Sequence, residues 1–207
     1  MPEPTPNPYQ PQLGMMLDSL SDLPPVCLPE GYSIRHYREG DGAHWDRIIG
    51  ESFLVPEDQR ERRFEQVMAA DDAFRPDRVL FVLRGEEPVG TASAWHVSDC
   101  PEHIGYLHYV GVLPSETGRG LGLQVSLAAL HKMVSEGRTA AVLRTDDYRI
   151  PAIKTYLKLG FHPVLVHENQ RDRWPAAFEK MGRPELAQAF AAILTGPVTD
   201  AYGIVRQ

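Results

Sequence analysis

Apolar and polar positions along the chain change period several times, and each change marks an element. YSIRHY (from Tyr32) alternates and predicts a first strand. Asp41–Phe53 and Pro56–Ala70 carry helical spacing, with Asp41 as N-cap of the first helix and Pro56 at the tolerated first position of the second. RVLFVLR (Arg78–Arg84) and VGTASAWHV (Val89–Val97) flank the turn GEEP and predict a hairpin. IGYLHYVGVL (Ile104–Leu113) is β-rich, and Gly111 inside it predicts a bulge or a close backbone approach. By alternation, Tyr106, His108, Val110 and Val112 share one face of that strand.

Leu123, Leu127, Leu130 and Val134 then recur with helical spacing, so a helix runs from about Arg119 to Glu136 with this stripe as its apolar face, and Gly137 ends it. Gln124, His131, Lys132 and Ser135 fall on the other side. AAVLRT (Ala140–Thr145) predicts a short buried strand. In DDYRIPAIKTYLKLGF, Asp146 or Asp147 caps a helix, Ile153, Tyr156 and Leu157 form its apolar face, and Gly160 stops it. Phe161–His167 predicts a last strand, followed by helices at about Asp172–Met181 and Pro184–Leu194. Hairpins and crossovers mix, which predicts an α/β fold in which the strand before Pro114 and the strand at 140–145 are parallel neighbours.

The first 30 residues differ in kind. Prolines at positions 2, 4, 6, 8 and 11 favour extended backbone, so this segment reads as a tail or an arm on another surface, with Met15–Leu20 a short helix or an anchoring patch. The remaining chain divides into a main domain at 31–170 and a helical extension at 171–207.

A chain of 207 residues that is 43% hydrophobic can bury one full core. The net charge of −7, with no basic stripe, argues against nucleic acid. Two cysteines, Cys27 and Cys100, make no disulfide framework; with no membrane-length apolar run and no basic residue before Arg35, the chain reads as cytoplasmic.

Candidate chemistry centres on PSETGRGLG (Pro114–Gly122), where Gly118, Gly120 and Gly122 stand between a strand and a helix. Glycines allow a sharp turn, and the unpaired N–H groups of a helix start favour an anion such as a phosphate. A triphosphate loop needs Gly-Lys-Ser/Thr, and here Leu123 follows Gly122. The dinucleotide spacing G-x-G-x-x-G fails as well. A tight turn without a ligand is the alternative.

Tyr106–Phe161 resembles the GCN5-related N-acetyltransferase (GNAT) superfamily. One block is Thr117-Gly118-Arg119-Gly120-Leu121-Gly122 after GVLP; the other is AIKTYLKLGF (Ala152–Phe161). The element order extends the likeness to about 32–167. Two positions depart from the family: Thr117 where Gln or Arg is usual, and Arg149 where Asn is usual.

The resemblance implies a single GNAT-like α/β domain: a mixed, mostly antiparallel twisted sheet, helices on both faces, and a splayed central parallel strand pair. It implies acetyl-CoA as cosubstrate and an acyltransferase that acetylates a primary amine of a small molecule or peptide. The pyrophosphate would sit on Gly118–Gly122, and the pantetheine arm along Val110, Gly111 and Val112. An amide near Val112 would polarise the thioester carbonyl. Tyr156 matches the family's general acid, and Arg149 would replace or forgo the pantetheine contact.

For the base, His108 titrates near neutrality and is the first candidate, ahead of Glu102, His103 and Glu116. Trp95, His96 and Trp174 are candidates for the acceptor pocket. His103, His108 and Glu102 lack metal-ligand spacing, so no metal is expected. A non-catalytic acyl-CoA-binding or sensory module is the competing function, and a homodimer surface is one use of residues 171–207.

Overall fold

The computed structural model describes residues 10–54 and 63–200. In chain order the elements are β1 (Leu13–Leu17), β2 (Tyr32–His36), α1 (Gly42–Ser52), β3 (Val79–Arg84), β4 (Glu87–Trp95), β5 (Ile104–Val112), α2 (Leu121–Ser135), β6 (Ala140–Thr145), α3 (Ile150–Lys158), β7 (His162–Val164), α4 (Gln170–Lys180), α5 (Glu185–Ala189) and α6 (Ala191–Leu194). The chain clusters into two compact units, residues 17–143 and residues 10–16 with 144–200.

The first unit holds the mixed sheet. β2, β3, β4 and β5 pair antiparallel in that order, and β6 joins β5 in parallel. The α/β class, the mostly antiparallel sheet and the parallel pair therefore follow the sequence reading. Val79 to Leu83 of β3 are all buried without alternation, because helices cover both faces of the sheet.

Two glycines of β5 establish which helix lies on which face. A Cβ on Gly105 would lie 2.5 Å from Met133 Sδ of α2. A Cβ on Gly111 would lie 2.5 Å from Ser52 Oγ and 3.0 Å from Ile49 Cδ1 of α1. Six residues apart, the two would share a face in a regular strand. They do not, because the β4–β5 register shifts by one residue between Thr91↔Gly111 and Ser93↔His108. The bulge residue is Tyr109, at φ 46°.

The expected common face for Tyr106, His108, Val110 and Val112 is thereby corrected. Tyr106 and His108 lie on the α1 side; the bulge adds Tyr109 and Gly111 to that side and turns Val112 toward α2. Val112 Cγ2 is 3.8 Å from where a Gly122 Cβ would be.

α2 also differs from its predicted stripe. Leu121, Val125, Ala129 and Met133 are buried, whereas Leu123 is half-buried and Val134 is 43% exposed. The reason lies in the segment after β1. Cys27 N–H donates to Gln124 Oε1 at 2.7 Å, and His131 Nε2 is 2.8 Å from the Pro24 carbonyl. Leu127, on the helix face between Gln124 and His131, is 2% exposed. The helix is therefore buried on two opposite sides, which a single stripe does not describe.

Other local readings shift for clear reasons. Asp41 occupies the N-cap position of α1, but its carboxylate accepts from Arg35 (2.5 and 3.0 Å) and the Arg38 N–H (2.6 Å) instead of capping. Arg35 and the Arg38 N–H outweigh burial and hold that carboxyl below its usual range. Pro56 lies outside the described residues. Residues 57–62 lie outside them too, and the described part of the expected second helix holds a π-helical turn at Glu65–Ala69, headed by Asp46 Oδ1, which accepts the N–H groups of Arg63 and Phe64.

In the second unit, Met15 lies in β1, paired antiparallel with β7, and not in a helix. The N-cap of α3 is Arg149, not Asp146 or Asp147. Asp147 is bound instead by Arg173 (2.7 and 2.9 Å), which lowers its pKa, and Asp146 accepts from Gln12 Nε2. Among the described residues no helix is long and apolar enough to cross a membrane.

Candidate active site

The glycine segment connects β5 to α2 by a short 3-10 turn at Pro114–Glu116. Thr117 Oγ1 donates to the Pro114 carbonyl at 2.8 Å, closing that turn. Gly118 and Gly120 follow at φ 82° and 74°, which only glycine adopts without strain. Gly120 is the N-cap of α2, and its carbonyl accepts the Gln124 N–H at 3.2 Å. Helix geometry then leaves the N–H groups of Leu121, Gly122 and Leu123 without intrahelical acceptors. No atom lies within 4 Å of a Cβ position on Gly118 or Gly120, so the turn is open on the side where side chains would stand. Open backbone and a helix start together suit a phosphate.

Arg119 is not a free charge. Its Nε lies 3.1 Å from Glu116 Oε2, and Glu116 also accepts from Arg84 Nη1 and Tyr32 Oη, each at 2.5 Å. Glu116 is 1% exposed. Two hydrogen bonds and the Arg119 ion pair occupy this carboxylate, so it is no candidate for a general base. Its role in the loop left no local sequence signal, because Tyr32 and Arg84 reach it from distant strands.

Beside the loop, β5 leaves its parallel neighbour. The β5–β6 register runs from Ile104↔Ala140 to Tyr106↔Val142, and β5 continues to Val112. Gly111 and Val112 remain paired to β4 through Thr91 and Gly90.

On the α1 side of β4 and β5 lies a chain of rings. Trp45 of α1 meets Tyr109 edge-on with centroids 4.8 Å apart; Tyr109 is 4.1 Å from His108; His108 is 5.0 Å from Tyr106 and 6.0 Å from Trp95. Burial among these groups pushes the His108 pKa down to about 4, against a small opposing effect of Asp71. The imidazole is therefore neutral at pH 7, with one ring nitrogen that can accept a proton. Ser93, the cross-strand partner of His108, is fully buried, and its Oγ has no partner among the described residues.

His108, Val110, Gly111, Val112 and Thr117 to Gly122 thus belong to one unit, around the end of β5 and the start of α2. Glu102 and His103 are exposed and precede the far end of β5. Tyr156 on α3 and Arg149 at its N-cap belong to the second unit. Tyr156 is 3% exposed, its ring is 6.1 Å from Phe161, and burial pushes its pKa up to about 12. Arg149 accepts the N–H groups of Ala152 and Ile153 at its carbonyl. Trp174 is fully buried and stacked on Phe178 at 5.6 Å, which makes it packing and not a pocket wall. Among the described residues no three His, Cys, Asp or Glu side chains form a metal-binding group.

Comparison with known proteins bears on this geometry. A family model described as the acetyltransferase (GNAT) family matches residues 42–161. Mycothiol acetyltransferase of Thermomonospora curvata is 33% identical over 145 residues, covering 68% of this chain and 48% of that protein. The Nocardia farcinica mycothiol acetyltransferase is 32% identical over 175 residues, covering 75% and 54%. The chain spans about half the length of the curated relatives it matches. Among solved structures, a GCN5-related N-acetyltransferase from Sphaerobacter thermophilus aligns with a TM-score of 0.56 at 24% identity, covering 75% of this chain and 50% of that one. An aminoglycoside N-acetyltransferase in complex with CoA aligns at 0.50 and 20% identity, covering 66% and 92%. At these identities the structures share the fold.

Proposed function

The chain belongs to the acetyltransferase (GNAT) family, and on that premise we propose that it transfers the acetyl group of acetyl-CoA to a primary amine of a small molecule. The reading is carried by one observation: an open, glycine-built helix start lies at the end of β5, where the ladder to β6 has already stopped. The first feature suits a pyrophosphate. The second leaves Gly111 and Val112 without a registered β6 partner, which suits the amides of a pantetheine arm. The relatives are named for mycothiol, which favours a small-molecule acceptor over a peptide.

In this reading Gly118 to Gly122 hold the pyrophosphate through backbone N–H groups, and Arg119 adds local positive charge. Val110, Gly111 and Val112 hold the pantetheine arm, and the Val112 amide polarises the thioester carbonyl. Arg149 carries the contact that the family usually makes with Asn. His108 takes the proton of the attacking amine at an imidazole nitrogen; Tyr156 gives its phenolic proton to the departing sulfur. Thr117 spends its hydroxyl on the Pro114 carbonyl, so this departure from the family pattern still serves the loop.

The test is calorimetry with acetyl-CoA followed by turnover with a panel of small amines. Acetyl-CoA raises the melting temperature by mass action. No shift at millimolar ligand refutes the cosubstrate. Binding without turnover on any amine leaves the chain an acyl-CoA-binding module.

A further inference from the structure

We infer that Glu116 is a positioning residue for the anion site of the glycine loop, clamping Arg119 and the two left-handed glycines to the β2–β3 end of the sheet. The inference rests on the reading of that loop as an acetyl-CoA site.

The loop has little else to hold it. Gly118 and Gly120 bring no side chains and have nothing within 4 Å where a Cβ would stand, so packing does not select their conformation. Glycine samples both signs of φ, and an unrestrained loop would lose that freedom on binding, at a cost to affinity. Glu116 supplies the missing restraint. Its carboxylate is buried, and Tyr32 and Arg84, directly opposite each other in the β2–β3 register, donate to its two oxygens. Arg119 Nε closes the circuit from the loop side at 3.1 Å. Arg84 is held in turn by Glu87 (3.2 Å), and Glu87 by Arg47 (3.1 Å).

Electrostatics alone would not put a carboxylate here. A negative charge beside an anion site weakens anion binding, and burying it demands several donors. Both costs are accepted only if the side chain fixes geometry. The two views predict opposite signs. If Glu116 acted only through its charge, Glu116→Gln would tighten acetyl-CoA binding. If it positions the loop, the same substitution weakens it.

Calorimetry on the full chain therefore compares wild type and Glu116→Gln. Positioning predicts an acetyl-CoA Kd raised about tenfold, the scale of one lost charge-assisted hydrogen bond. Acetyl-pantetheine carries the thioester without the pyrophosphate, so the ratio of kcat/KM for acetyl-CoA over acetyl-pantetheine falls by a similar factor. An equal loss on both donors, or an unchanged or lower Kd for acetyl-CoA, overturns the inference. Should Glu116→Gln not fold, Tyr32→Phe removes one clamp donor and keeps the charge; its Kd rises about threefold, and a Kd equal to wild type overturns the inference. Wild-type protein that fails to bind acetyl-CoA refutes the parent reading. Positioning is read apart from that in ligand-free protein, where the amides of residues 118–120 exchange faster in Glu116→Gln; equal exchange rates overturn it.

Discussion

His108 and Tyr109 are consecutive in β5, yet both rings lie on the α1 side of the strand, with centroids 4.1 Å apart. In regular β-structure, neighbours point to opposite faces. Tyr109 breaks the rule by taking φ 46°, and the rings of Trp45 and Phe53 close over it at 4.8 and 6.3 Å. Tertiary packing stabilises a backbone conformation that local preference opposes.

That strain has a measurable sign. In an ordinary strand, glycine is less stable than alanine by roughly 0.5–1 kcal/mol. At position 109 the order reverses: Tyr109→Gly and Tyr109→Ala both lose the ring contacts, but only the glycine relieves the left-handed φ, so it is the more stable of the two by about 1 kcal/mol. Urea denaturation of the pair reads the difference. An alanine variant at least as stable as the glycine one contradicts the bulge geometry.

Much of this fold was legible in the sequence, because strand and helix periods are written in local residues. β3, β4, β5, α2 and β6 all fall within a few residues of where the pattern puts them. The bulge was legible only in part. Gly111 announced an irregularity, but the inserted residue is Tyr109, selected by Trp45 and Phe53 and not by its own propensity. Glu116 was read as a weak base candidate because its donors lie 84 and 32 residues away in sequence. The α2 stripe misled for a similar reason: Gln124 and His131, read as the polar side, bond the segment around Cys27 and Pro24, Leu127 between them is buried, and Val134 is left exposed; an amphipathic pattern cannot reveal a second covered side.

The three glycines of the loop are unequal, and alanine substitution separates them. Gly120→Ala places a side chain at φ 74°, which costs about 1–2 kcal/mol even with open space around it. Gly122 has no such φ, and its added Cβ would meet Val112 Cγ2 at an ordinary 3.8 Å. Gly122→Ala, inside the first turn of α2, gains up to about 1 kcal/mol of helix propensity. Thermal melts of the ligand-free variants should move in opposite directions. If Gly122→Ala destabilises as much as Gly120→Ala, the glycines act through close packing and not through backbone sign.

His108 makes stability depend on pH. Burial, slightly opposed by Asp71, holds its folded pKa at about 4, below the ordinary 6.5. Between these values the unfolded chain binds a proton that the native protein excludes, so stability is fully present above pH 6.5 and is lost as pH falls through 4. The loss amounts to up to about 3 kcal/mol. Other carboxylates titrate nearby, so the comparison is with His108→Gln: the stability difference between wild type and variant should shrink or change sign from pH 7 to pH 4. A difference constant with pH contradicts the buried neutral imidazole. The same shift places any acid limb of kcat/KM that belongs to His108 near pH 4 and not near pH 6.5.

Tyr156 provides the last test, of the proposed acid. Burial pushes its pKa up to about 12, with the Arg149 charge acting weakly in the other direction. A phenol so shifted stays protonated through the whole working range, as a proton donor must. Loss of its proton on the basic side lies outside ordinary assay pH, so Tyr156 leaves no basic limb below about pH 10 in the rate profile. Tyr156→Phe removes the proton and keeps the ring against Phe161, so the fold and the acetyl-CoA Kd should change by less than about twofold while kcat falls about 100-fold, the scale of one general acid. Single-turnover kinetics separate that chemical step from product release. A CoA thiolate that departs without a proton donor would give an unchanged kcat, and that result would remove Tyr156 from the chemistry and return it to the core of α3.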